Sequence, residues 1–255
     1  MFNLCIGILL PFLGTIIGSF FVFFLRNKMN NKMERIMLGF AGGVMIAASI
    51  WSLIIPAINN SSHLNFLSFF PATIGIIIGV LFLIEIDKII TKMYKENNKL
   101  IKQNNKSKML MLAVTLHNIP EGMAVGVALA GVLVGNSGIS LVASLTLSLG
   151  IAIQNIPEGA IISMPLLSNA YSKSKAFVVG VLSGIVEPIA AIITILLVNI
   201  LTPILPYLLA FAAGAMIYVV VEELIPEAHN TESKLATISF VAGFLIMMIL
   251  DVSLG

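Results

Sequence analysis

Apolar runs long enough to cross a bilayer recur along the whole of this chain. They cover about Leu4–Leu25, Ile36–Ile58, Phe69–Ile90, Met109–Leu133, Ile139–Ser168, Ala176–Ile200, Pro203–Pro226 and Leu235–Leu254. A spanning helix needs roughly 20 such residues. Backbone groups in hydrocarbon must be satisfied within the segment, so runs of this kind fold as helices. The chain is 58% hydrophobic and 10% charged, whereas soluble domains carry about 25% charged residues to cover a wet surface. The expectation is an all-α integral membrane protein of eight transmembrane helices, one domain over 1–255, with no soluble module. The single Cys5 excludes an internal disulfide or thiolate cluster and reads as apolar filler.

Charge placement orients these spans. Arg26, Lys28, Lys32 and Arg35 lie between the first and second. Lys88, Lys92, Lys95, Lys99, Lys102, Lys106 and Lys108 lie at or between the ends of the third and fourth. Lys173 and Lys175 join the fifth to the sixth, and Lys234 joins the seventh to the eighth. All 14 basic residues therefore fall on one side. The positive-inside rule makes that side cytoplasmic and puts both termini outside, in the cell (inner) membrane. The first run has no basic start and its basic cluster follows it, so it reads as an uncleaved helix rather than a signal peptide. The cytoplasmic loop Thr91–Lys108 reads as a solvated segment whose lysines can meet anionic lipid.

Two internal repeats are visible. His117-Asn118-Ile119-Pro120-Glu121-Gly122 in the fourth span is matched by Gln154-Asn155-Ile156-Pro157-Glu158-Gly159 in the fifth. F-A-G-G-V-M from Phe40 and S-L-I-I-P-A-I from Ser52 are matched by F-A-A-G-A-M from Phe211 and E-L-I-P-E-A from Glu223. The matched spans run in opposite directions, which suggests inverted repeats, a plan that places a substrate site near the bilayer midplane.

Ionisable groups inside hydrocarbon are costly and mark functional sites unless paired. His117, Asn118 and Glu121 share one helix face, as offsets of about 40° and 60° require; Gln154, Asn155 and Glu158 repeat it. Pro120 and Pro157 displace the carbonyls of Leu116 and Ile153, so each helix should kink beside its carboxylate. The bland alternative is a kink with a polar patch joining two helices. Glu187, followed by Pro188 in the sixth span, adds a third carboxylate. Glu222 and Glu223 lie near the inner end of the seventh span, and Glu85 and Asp87 beside Lys88, where pairing or solvation is expected. His63 and His229 fall in links. Carboxylates, amides and one imidazole without thiolate suit zinc, iron, manganese or cadmium, Zn2+ first, as substrate and with no organic cofactor. Copper(I) is disfavoured, though Met45 and Met216 are soft donors.

At these motifs the chain resembles the ZIP (Zrt/Irt-like) metal transporter family, in particular its bacterial branch. The resemblance rests on the paired N-x-P-E-G motifs and extends over nearly the whole chain. It implies a three-plus-two-plus-three helix bundle and a binuclear site. One metal would take His117, Glu121, Gln154 and Glu158; the second would take Asn118, Asn155 and Glu187, with Glu121 and Glu158 bridging. It also implies that spans one, four, five and six slide against two, three, seven and eight, and that Met45, Ala48 and Ser52 line the way in. Two departures stand out. Gln154 stands where many relatives carry His, and Gly159 where some carry a second. The loop also lacks the His tract of eukaryotic relatives.

The expected activity is divalent metal uptake into the cytoplasm. An intramembrane metal-dependent hydrolase is the alternative, but no H-E-x-x-H and no three-His cluster is present. A sensor's readout domain is not recognisable; low-charge bundles can also be channels, from which slow, saturable flux would distinguish a carrier. The expected partners are a divalent metal ion and the lipid bilayer, with a homodimer allowed and no nucleic acid.

Overall fold

The computed structural model describes residues 2–24, 30–97, 104–135, 139–167, 171–197, 202–229 and 233–254; side chains at 90, 93–97, 104–114, 117, 165 and 202 lie outside that description. The described residues are helical with no strand. The helical rods are α1 (Phe2–Phe23), α2 (Asn31–Asn60), α3 (Phe69–Asn97), α4 (Asn104–Leu133), α5 (Leu141–Leu166), α6 (Lys173–Leu196), α7 (Leu205–Ala228) and α8 (Leu235–Leu254). Among the described residues, seven are long and apolar enough to cross a membrane; in α4 the apolar stretch is the shorter Asn118–Leu133. This is a multi-pass membrane protein. The expected loop Thr91–Lys108 is helical at both flanks, since α3 continues to Asn97 and α4 begins at Asn104.

Local chemistry sets several of these boundaries. The Asn30 side chain caps α2 by accepting from the Lys32 amide at 3.0 Å. Ser172 caps α6 in the same way through the Lys175 amide at 3.3 Å. Both side chains satisfy amides that a helix start leaves open. Further along, α2 loosens into a π-helical turn at Ser49–Ile54 and α7 into another at Val220–Leu224. Pro56 and Pro226 follow each turn by two residues. Each ring displaces the carbonyl four residues back, at Ser52 and Glu222, and the widened turn absorbs the displacement. The backbone stays helical through Pro120 and Pro157. The break in α6 falls between Gly184 and Val186, next to Glu187.

Lipid is as apolar as leucine, so helices pair where small residues allow close contact. Four Gly-x-x-x-Gly pairs do this. Gly14 and Gly18 of α1 lie against the Ala152 and Ile156 carbonyls of α5; Gly39 and Gly43 of α2 lie against Ala236 and Phe240 of α8. Gly75 and Gly79 of α3 meet Tyr207 and Phe211 of α7, and Gly122 and Gly126 of α4 meet Glu187 and Ala191 of α6. A Cβ at any of them would overlap the facing backbone. The partner numbers ascend together, so all four close pairs are parallel. Thus the starts of α2 and α8, with Lys32, Arg35 and Lys234, share one end of the bundle. Lys173 joins them there, donating to the Phe23 carbonyl at the end of α1 at 2.9 Å. Large exposed apolar side chains such as Ile17, Leu81, Ile193 and Ile249 face outward, as a lipid-facing surface requires.

Candidate metal centre

The two N-I-P-E-G faces meet in the interior. Gln154 Nε2 of α5 donates to Glu121 Oε1 of α4 at 2.9 Å. Asn155 Nδ2 donates to Glu187 Oε2 of α6 at 2.8 Å and to the Pro11 carbonyl of α1 at 3.2 Å. Asn118 Nδ2 donates to the Ser183 carbonyl of α6 at 3.1 Å. Asn118, Glu121, Gln154, Asn155 and Glu187 are all buried to 2% exposure or less, whereas Glu158 is half-buried. Glu121 lies within electrostatic reach of both Glu158 and Glu187. His117 belongs to α4, but its side chain is outside the described residues.

The amides share one orientation. Each spends its NH2 on the protein, leaving Asn118 Oδ1, Gln154 Oε1 and Asn155 Oδ1 buried without a hydrogen-bond partner, together with Glu121 Oε2. A buried unpaired acceptor costs about 1–3 kcal/mol, so four in one region need an explanation. Buried oxygens with no donor to meet suit a cation. Among the described residues, no group of three or more His, Cys, Asp or Glu side chains could hold a metal. The buried set is instead a mixture of carboxylates and amides, a harder donor set than a histidine cluster.

A cleft leads away from this set. It is lined by Asn118, Glu121, Glu158, Ile161 and Ile162 on α4 and α5, and by Leu38, Val219, Glu223, Leu224 and Glu227 on α2 and α7. It runs from the buried carboxylates to the basic end of the bundle. Glu223 faces the cleft, whereas Glu222 is exposed. Met45 and Ala48 are sealed in the core, and Ser52 donates to Asp251 Oδ1 of α8 at 2.6 Å. The expected pairing of Glu85 with Lys88 occurs at 2.6 Å, while Asp87 accepts from the Tyr218 hydroxyl at 2.5 Å. His63 is exposed, and His229 Nε2 lies 3.1 Å from Thr237 Oγ1 of α8.

Three residues near these features were not singled out by the sequence reasoning. Asp251, 7% exposed with Oδ2 unpartnered, carries the same signal as Glu187: an acid inside an apolar run. Glu227 sits on the cleft but looks like a link residue in sequence. Thr15, which donates to Glu187 Oε1 at 3.3 Å, has no local signal, because the contact depends on how α1 meets α6.

Comparison with known proteins decides the family. Residues 95–251 match the family model described as ZIP zinc transporter. The chain belongs to the ZIP zinc transporter family. It is 34% identical to Zinc transporter ZIPB of Bordetella bronchiseptica, over 96% of this chain and 79% of the relative. It is 34% identical to Zinc transporter ZupT of Clostridium perfringens, over 94% and 92% of the two chains. It is also 33% identical to Zinc transporter ZIP11 of Xenopus tropicalis, over 98% and 96%. ZIP proteins are transporters rather than enzymes, which removes the hydrolase alternative.

Proposed function

We propose that this ZIP protein moves a divalent metal ion, zinc first and then iron, manganese or cadmium, into the cytoplasm through a binuclear site between α4, α5 and α6. One ion is held by His117, Glu121, Gln154 and Glu158, the other by Asn118, Asn155 and Glu187, with Glu121 and Glu158 bridging. The observation that carries this reading is the set of four unpartnered oxygens on Asn118, Glu121, Gln154 and Asn155. The amide nitrogens of Asn118, Gln154 and Asn155 are already committed, so rotating those side chains would break bonds elsewhere.

The orientation of the cleft follows from charge. With the basic end cytoplasmic and the termini outside, the cleft below Glu121 and Glu158 opens inward, and the protein faces the cytoplasm. The cleft is lined by α4 and α5 on one side and by α2 and α7 on the other. Close pairs stay within the groups on either side of it: α1 with α5 and α4 with α6, against α2 with α8 and α3 with α7. That grouping favours an elevator-type slide of α1, α4, α5 and α6 against the rest. Exchanging α1 with α6, α2 with α7, α3 with α8 and α4 with α5 maps these pairs onto one another. The π turns of α2 and α7 exchange too, which favours an inverted repeat.

Glu121→Gln and Glu158→Gln, reconstituted in proteoliposomes, are expected to lose zinc flux to background while keeping the parent's metal-free melting temperature. Parental flux in both variants, correctly folded, overturns the reading.

A further inference from the structure

Helix α1 supplies none of the proposed ligands, yet it touches two of them. Thr15 Oγ1 donates to Glu187 Oε1 at 3.3 Å, and the Pro11 carbonyl accepts from Asn155 at 3.2 Å. Thr15 and Pro11 are four residues apart, so they share a face of α1. A threonine buried in a helix ordinarily returns its hydroxyl to the carbonyl four residues back. Ser49, Ser144, Ser148 and Thr194 do so in this protein, at 2.8 to 3.0 Å. Thr15 does not. Its hydroxyl crosses to another helix and meets a carboxylate at a point where it is itself only 1% exposed.

The two oxygens of Glu187 are thereby held from two helices, Oε1 by Thr15 of α1 and Oε2 by Asn155 of α5. We infer that Thr15 is a positioning residue for the transported ion: its hydroxyl fixes the plane of the Glu187 carboxylate so that Glu187 meets the ion already oriented. The inference rests on the reading of Glu187 as a ligand. Accepting one hydrogen bond leaves a carboxylate oxygen a second lone pair with which to coordinate. Partners of this kind around metal ligands change affinity by about 10–100-fold when removed. Close packing supports the geometry, since Gly184 of α6 lies against Thr15 and Gly122 of α4 against the Glu187 backbone. The carboxylate therefore has little freedom to find another donor.

The test compares Thr15→Val and Thr15→Ser in purified full-length protein. Zinc binding is read by calorimetry, and the metal-free melting temperature checks the fold. Thr15→Val should weaken zinc binding by about tenfold or more, whereas Thr15→Ser, which keeps the hydroxyl, should bind like the parent. Where Val crowds the site, Thr15→Ala removes the hydroxyl without adding bulk. Added to Glu187→Gln, Thr15→Val should cause no further loss. Parental affinity in Thr15→Val, equal weakening in Thr15→Ser, or an undiminished further loss beside Glu187→Gln would each overturn the inference. Glu121→Gln separates the two levels. If it binds zinc normally, the site reading itself fails; if it loses binding while Thr15→Val does not, only the role of Thr15 fails.

Discussion

Gln154 shows how much of the site is decided by one side chain. Its NH2 is tied to Glu121 Oε1 at 2.9 Å, so its carbonyl turns into the unpartnered set. An amide oxygen is a harder donor than imidazole nitrogen and ranks borderline ions differently. Replacing Gln154 by His should shift preference several-fold towards zinc over manganese. Competition of manganese against zinc uptake in proteoliposomes reads this directly, and an unchanged competition profile contradicts it. The grouping of Asn118 with Glu121, and of Gln154 with Asn155 and Glu158, was legible from helical spacing alone. The pairing of Gln154 with Glu121 followed from packing those two faces together. Asp251 was legible by the same rule but sits in the last turn of α8, where an acid reads as a helix-end residue. Thr15 was not legible, because its chemistry appears only once α1 and α6 are in register.

At the scale of elements, the glycine spacing in α1, α2, α3 and α4 was present in the sequence, but not which helix each pair would meet. Spacing defines a face; a partner is a tertiary fact. A lost amide and a displaced carbonyl were expected to kink α4 and α5 beside their carboxylates, and both stay helical through Pro120 and Pro157. Widened turns appear before Pro56 and Pro226, in the helices across the cleft. The close pairs are also where substitution should matter most. A Cβ at Gly18 would strike the Ile156 carbonyl, and Ile156 lies between Asn155 and Pro157. Gly18→Val should cost about 1–3 kcal/mol by overpacking, lowering the metal-free melting temperature. It should weaken zinc binding as well, because α5 moves with its motif. A variant that melts and binds like the parent would show that α1 and α5 do not depend on this contact.

Across the whole molecule, charge and packing agree on which helix ends lie together. The one-sided lysines and arginines were legible before any helix was placed, because their distribution depends only on where the apolar runs begin and end. The parallel pairing of α2 with α8 and the bond from Lys173 to Phe23 then bring the described basic residues at those helix ends together. What no linear pattern could reveal is the cleft lined by α4 and α5 and by α2 and α7, or that the close glycine pairs fall into two groups, since both are products of packing. If those groups slide during transport, a tether across the cleft should stop it without harming the site. Leu38 of α2 and Ile161 of α5 both line the cleft. With Cys5 replaced by Ser, a Leu38→Cys/Ile161→Cys pair joined by a bifunctional methanethiosulfonate should lose zinc uptake and regain it on reduction. Zinc binding to the tethered protein should persist, because neither residue is a proposed ligand. Full uptake with the tether complete would mean that the ion crosses without relative motion of α2 and α5, and the elevator reading would fall while the metal site stood.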